Sequence, residues 1–325
     1  MTDPTSQPPP RLDRVVVALD FSEPSVRALT WVAQHFARGA ELVLVHVIHV
    51  PVVPRFLEGR YPPAERLVET ARAGAEVRMR ELVSSVATGL VWTEVRVGRP
   101  DEEIVRVAEE YRADLIVVGR SAPRAGLWGR LGTTAQRVLR RATVPVLLAA
   151  ETPPRAPSRV LAGVDESELT APVLDWTRLL VERFAADAIV VHVVHPMQFD
   201  NSVVAHGLSQ AVADSSRRAH LDDELIHRDA ERWLAEQVAR QLARQTGAPD
   251  GAPEAQVMTL VALEGLAEDV LVAEASSRGA ELVVVGSRGA GAVQRLLIGS
   301  VAEAVLLRSP CPVLVVRPAD APGSA

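Results

Sequence analysis

Gly286-Ser-Arg-Gly289, nine intervening residues and then Gly299-Ser300 fall in the last third of the chain, between the apolar runs Leu282–Val285 and Val313–Val316. The chemistry these residue types serve at this spacing is the holding of phosphate groups. A glycine at a strand end lets the backbone come close to an anion, and a second glycine supplies a positive φ without a Cβ clash. A Gly-Ser at a helix start adds unpaired N–H groups and the positive end of the helix dipole. The loop is not a Walker A motif, which needs a lysine, because all 35 basic residues here are arginine. Its spacing also differs from the G-x-G-x-x-G dinucleotide fingerprint.

The elements that must position such a loop occur twice. Val15-Val-Val-Ala-Leu-Asp20 returns as Val160–Asp165, and Trp31 and Trp176 each follow the aspartate by eleven residues. Leu44–His49 returns as Val190–His195, Gly119 stands where Gly286 does, Gly132-Thr133 where Gly299-Ser300 does, and Val144–Leu147 where Cys311–Leu314 does. A chain of 325 residues at about 150 per domain gives two domains, each able to bury its own core. The expected division is a disordered N-terminus 1–10, a first domain 11–150, a proline-rich linker 151–157, a second domain 158–318 and a disordered tail 319–325.

In the first half, strands fit near 14–20, 41–47, 91–96, 114–118 and 145–149, and helices near 23–38, 64–88, 101–112 and 133–141. Continuous Val/Ile/Leu runs such as Leu115–Val118 suit strands buried on both faces of a parallel sheet. Each half therefore reads as a doubly wound α/β layer. Ligands of such sheets bind beyond the carboxyl ends of the strands at a topological switch point. Asp20, Val47 and Gly119, and Asp165, Val193 and Gly286, all fall at such ends.

The glycine spacing resembles the G-x2-G-x9-G-[S/T] nucleotide motif of the universal stress protein family. The strand ending in Asp165, the second strand Ile189-Val-Val-His192-Val193 and the closing Pro312–Val316 are similar to the family's pattern in the same order. The resemblance implies two tandem Rossmann-like, adenine nucleotide alpha hydrolase-like domains that bind ATP with Mg²⁺. It implies that Asp165 bonds the ribose or adenine end, that the backbone around Gly163 and Val193 lines the adenine, and that Gly286, Gly289, Gly299, Ser300 and the N–H groups of Val301 and Ala302 hold the phosphates. The first-half counterparts are Asp20, Val47, Gly119, Gly132 and Thr133. It also implies pairing of the two halves through their last strands, and homodimerisation.

The halves differ at the loop. The second glycine of the motif is Ala122 in the first half, giving Gly119-Arg-Ser-Ala122 followed by Pro123. Alanine at a position needing positive φ costs on the order of 1 kcal/mol; Arg120, Arg124 and Arg130 either offset this through their charge or stand as solvated surface residues. The second half carries Glu166 after its aspartate and Glu264 beside Gly265, which bring negative charge toward an anion site. Nucleotide binding is therefore expected to be strongest in the second domain.

Several of these residues have structural roles to compete with. Ser300 with Glu303, and Thr133 with Gln136, form capping boxes, so cap and phosphate ligand are balanced for Ser300. Ser22 and Ser167 are cap candidates after the two aspartates. The His-x-x-His pairs, His46 with His49 and His192 with His195, face opposite sides of a strand and do not form one metal site. His206, His220 and His227 lie in the long segment 196–245, of which 220–245 reads as an amphipathic helix whose histidines are solvated.

The single cysteine, Cys311, allows no intrachain disulfide and points to a reducing cytoplasm. No basic-then-apolar leader opens the chain and no run approaches a membrane span. A formal net charge of −6 with dispersed arginines argues against nucleic acid; Arg137, Arg140 and Arg141 complement a helix C-terminus. The leading expectation is a nucleotide-dependent regulator in stress response. A slow ATPase and an interaction scaffold with vestigial sites are the alternatives.

Overall fold

The computed structural model describes residues 9–36, 39–49, 62–86, 89–120, 132–150, 156–194, 225–241, 258–289 and 298–318. Most of the two termini and of the linker lie outside them, as do Ala122, Arg124, Arg130, His195, His206 and His220.

The first half runs β1 (Arg14–Leu19), α1 (Glu23–His35), β2 (Glu41–Ile48), α2 (Ala64–Val86), β3 (Val91–Val97), α3 (Pro100–Glu110), β4 (Leu115–Gly119), α4 (Thr133–Arg141) and β5 (Val146–Ala149). The second runs β6 (Arg159–Val164), α5 (Thr170–Phe184), β7 (Asp187–Val194), a helix α6 over 225–241, β8 (Met258–Glu264), α7 (Ala267–Ser277), β9 (Leu282–Gly286), α8 (Ser300–Arg308) and β10 (Val313–Val316). The strands lie in one ten-stranded sheet in the order β3-β2-β1-β4-β5-β10-β9-β6-β7-β8. Within each half every pairing is parallel, and the halves meet where β5 and β10 pair antiparallel, Leu147 opposite Leu314. The two apolar edge strands thus cover one another, which removes the exposed edge each would otherwise present.

Alternate residues of the strands feed two cores. Val15, Val17 and Leu19 face Leu29 and Trp31 of α1, while Leu282 and Val284 face Leu174 and Trp176 of α5. Val16 and Ala18 face Ile104 of α3 and Val138 of α4 on the other side, as Val283 and Val285 face Leu271 of α7 and Val305 of α8. Helices on both faces make the strands apolar throughout. The fold is α/β, two doubly wound parallel layers in tandem.

Side chains also cross between the halves. The rings of Phe36 and Phe184 meet edge to face at 5.2 Å. Arg120, directly after β4, donates to the carbonyls of Leu306 and Ser309 at 2.9 Å each, at the C-terminal end of α8. Arg317, directly after β10, donates in turn to Leu139 O at 2.7 Å and Arg140 O at 3.1 Å at the end of α4. A cation at a helix C-terminus satisfies orphan carbonyls and opposes the negative end of the dipole.

Candidate functional site

In each half, β1 or β6 lies between β2 and β4, or between β7 and β9, and the connections leave its carboxyl end in opposite directions. A crevice opens there. In the second half it is a cavity of about 620 Å³, and all nine residues named for that domain line it: Gly163, Asp165, Val193, Gly286, Gly289, Gly299, Ser300, Val301 and Ala302. In the first half Asp20, Val47, Gly119, Gly132 and Thr133 share one of about 230 Å³.

The glycines are needed for space. None of Gly119, Gly163, Gly286, Gly289 and Gly299 has positive φ, which corrects the expectation that the second loop glycine supplies one. A Cβ on Gly163 would lie 2.9 Å from Leu271 Cδ1, and one on Gly286 would meet Leu169 Cβ at 3.1 Å and Arg288 O at 3.2 Å. These two glycines admit the packed side chains of Leu271 in α7 and of Leu169, the N-cap of α5, to the cavity wall. Gly289 has a different neighbour, since its Cβ would lie 2.8 Å from Asp165 Oδ2. The aspartate and the glycine loop, far apart in sequence, are in contact.

The start of α8 is open to the cavity. Its N-cap is Gly299, which offers no side-chain acceptor, and its backbone N–H donates to Ser287 O at 2.8 Å, tying the helix start to the loop. Ser300 is therefore the first helical residue and not the cap. Thr133 stands likewise behind Gly132 at the start of α4. Neither capping box forms. The N–H groups of the first turn, which have no partner inside a helix, are left without a capping side chain beside the cavity.

Asp165 follows β6, and its Oδ1 accepts from Ser167 N at 3.1 Å. Behind it, His192 Nδ1 lies 3.1 Å from Val164 O; a carbonyl only accepts, so Nδ1 carries the proton. His46 holds Leu19 O in the same way at 2.8 Å. Each histidine thus pins the carbonyl just before its aspartate, and His192 also packs on Trp233 with ring centroids 4.5 Å apart. They are buried or half-buried strand residues with a positioning role.

The two cavities differ because their helices begin at different points. Ser22 caps α1, which starts three residues after Asp20, whereas α5 starts five residues after Asp165. Asp20 is bound into that cap: its Oδ1 accepts from Ser22 N at 3.0 Å and from Ser22 Oγ. Burial pushes the Asp20 carboxyl up, but the hydrogen bonds from Ser22 and Ser25 outweigh it and the net shift is downward. Ser25 backbone atoms stand 3.0 Å from where a Gly119 Cβ would be, so α1 closes down on the first cavity.

Residues not singled out from the sequence complete the second site. Val173, Val191, Leu271 and Ile298 give it apolar walls, and Arg288 is the one cation among its described lining residues, as Asp165 is the one anion. Glu166 and Glu264 do not line it, contrary to the expected crowding of negative charge. Cys311 is buried, and burial raises its thiol pKa despite a hydrogen bond with Ser309, so it is a packed thiol. No helix among the described residues is long and apolar enough to cross a membrane.

A sheet-switch cavity with an open helix start and one carboxylate, repeated in tandem, defines a two-domain α/β protein built around paired ligand crevices. The chain belongs to the universal stress protein family, whose model matches residues 11–150 and 157–317. Two universal stress proteins of Mycobacterium tuberculosis are each 28% identical over 319 residues, covering 93% of this chain and 96% of their own. A crystal structure of a universal stress protein from Archaeoglobus fulgidus shares the fold, with a TM-score of 0.64, 19% identity and coverage of 94% of this chain and 98% of that one.

Proposed function

We propose that the protein is an adenine-nucleotide-binding regulator of the stress response that takes ATP in its second domain and binds it weakly or not at all in the first. The observation that carries this reading is that nine residues chosen from sequence as nucleotide contacts line a single cavity of about 620 Å³, within the range of roughly 300–1,000 Å³ usual for small-molecule sites.

Asp165, in contact with the glycine loop and the one carboxylate among the described lining residues, suits the ribose hydroxyls. The apolar wall of Val173, Val191, Val193 and Leu271 suits the adenine, with Gly163 leaving the strand flat. Ser300 Oγ and the first-turn N–H groups of α8 suit the phosphates. Mg²⁺ fits as a companion of the phosphates, lowering their charge: Asp165 is the one carboxylate among the described lining residues, and this cation is commonly carried by phosphate oxygens with few protein ligands.

The smaller first cavity supports the preference for the second domain. A single buried thiol is in keeping with the cytoplasm, and Trp92, 50% exposed on the outer strand β3, offers an apolar contact for homodimerisation.

The test is a calorimetric titration of the nucleotide-stripped chain with Mg-ATP, reading sites per chain. One site is expected. Two would show the first cavity competent, and none would overturn the reading in favour of a scaffold with vestigial sites.

A further inference from the structure

Arg288 occupies an unusual position in the second cavity. It lies inside the glycine loop, its side chain is only 13% exposed, and its Nη2 is 3.3 Å from Glu168 Oε1. Glu168 comes from the turn leading into α5, beside the lining residues Leu169 and Thr170, and its side chain is 73% exposed. The pair is lopsided, with a largely desolvated guanidinium facing a carboxylate that is mostly in water. Such a carboxylate keeps its hydration and contributes little to an ion pair. The contact is single and long, whereas a guanidinium carries five donors arranged to meet two oxygens at once. A phosphate offers that geometry with more charge, and charge-assisted forked bonds are among the strongest available to a side chain.

The first domain shows what a shift of one residue does. Its loop reads Gly119-Arg120-Ser121 where the second reads Gly286-Ser287-Arg288. Successive residues leaving a strand point to opposite sides. Arg120 accordingly turns away from its cavity and is spent on the carbonyls of Leu306 and Ser309, and no arginine is among the described residues lining the first cavity. Among the described residues, the cation belongs to the second cavity alone.

We propose that Arg288 reads phosphate charge in the second cavity, held toward it by Glu168 until a ligand's phosphates displace that carboxylate, so that the site selects nucleoside polyphosphates over nucleosides. This rests on the nucleotide reading above and adds what discriminates within it. Glu168 acts as a removable stand-in that occupies the guanidinium at the cavity's edge and lowers its affinity for weaker anions.

The experiment titrates the full-length protein with ATP and with adenosine, for the natural sequence, Arg288→Gln, Glu168→Gln and the double variant. Arg288→Gln is expected to weaken ATP roughly 10- to 100-fold, the effect of losing charge-assisted hydrogen bonds, and to change adenosine by less than about twofold. Glu168→Gln is expected to tighten ATP up to about fivefold, the scale of an exposed ion pair, and to do nothing once Arg288 is gone. Equal loss of ATP and adenosine in Arg288→Gln would show that the arginine only shapes the cavity and would overturn the proposal. So would a Glu168→Gln effect that persists without Arg288, or no effect of Glu168→Gln at all; that exposed position decides the matter even where Arg288→Gln fails to fold. Failure of the natural protein to bind either ligand would remove the nucleotide reading itself, which distinguishes the two failures.

Discussion

A Cβ built on Gly289 would stand 2.8 Å from Asp165 Oδ2, so the second glycine of the loop and the aspartate that follows β6 leave no room for a side chain between them. The expected consequence of Gly289→Ala is a displaced carboxylate and a loss of Mg-ATP affinity of roughly tenfold, about 1.4 kcal/mol. Gly289 is exposed and lies outside every strand and helix, so the thermal midpoint should move by less than about 3 °C, the scale of a fraction of a kcal/mol. Calorimetric titration and a melting curve on the same sample check both parts. Unchanged ATP affinity would mean that the carboxylate moves aside at no cost.

Gly119 answers to a different constraint. Its missing Cβ would lie 3.0 Å from Ser25 Cα and Ser25 N, which are backbone atoms in the first turn of α1 and have no rotamer to relieve the contact. Gly119→Ala should destabilise the fold by about 1–3 kcal/mol, as overpacking of a close-packed interior does. Gly299→Ala meets its nearest neighbour at 3.4 Å, an ordinary contact, and should show no comparable packing loss. Urea denaturation midpoints of the two variants make the comparison, and a larger loss for Gly299→Ala would contradict it.

These two glycines also show what the sequence made legible. The alternation of apolar runs with helical patterns, the repeat of Asp20 in Asp165 and the glycine spacing led directly to two doubly wound layers, and the named residues converge on one cavity in each. What local pattern could not reveal was the reason for the glycines. Positive φ is a property of one residue, whereas contacts such as Gly289 with Asp165 or Gly163 with Leu271 exist only after folding. The cap reading of Ser300 missed for a similar reason: Ser-x-x-Glu describes a cap only if the helix begins one residue later than it does. Arg288 lay in plain view within Gly-Ser-Arg-Gly, and its distinction from Arg120 needed the strand end that turns one inward and the other away.

Arg120 leads to a prediction that crosses the domain boundary. It belongs to the first half in sequence, yet its guanidinium bonds two carbonyls at the end of α8 at 2.9 Å each. Arg120→Ala should therefore loosen the second domain. A loss of about 1–3 kcal/mol is expected from withdrawing charged hydrogen bonds to part-buried carbonyls, and Arg317→Ala should act on α4 in the same sense. Hydrogen exchange provides the locating measurement: Arg120→Ala is expected to speed exchange in α8 more than in α4, and Arg317→Ala the reverse. Exchange that rises only in the half carrying the substitution would show that the cross-domain caps contribute nothing to stability.

The final prediction concerns acid. Burial raises the Asp20 carboxyl pKa, but hydrogen bonds from Ser22 and Ser25 bring the net value below the ordinary aspartate value of 3.8. A carboxyl whose folded pKa lies below its unfolded one contributes stability that is fully present above the unfolded pKa and is lost as pH falls through the folded one. Stability should accordingly decline on acidification below about pH 4, and Asp20→Asn should flatten part of that decline while lowering stability at neutral pH. Glu281, buried in part and held low by Ser158, supplies another share that Asp20→Asn leaves in place. Ser22→Ala offers the sharper check, because it removes the Oγ donor to Asp20 while leaving the backbone N–H bond and the carboxyl in place. An NMR titration should then find the Asp20 pKa moved up, and an unmoved value would show that the Ser22 cap does not hold it down.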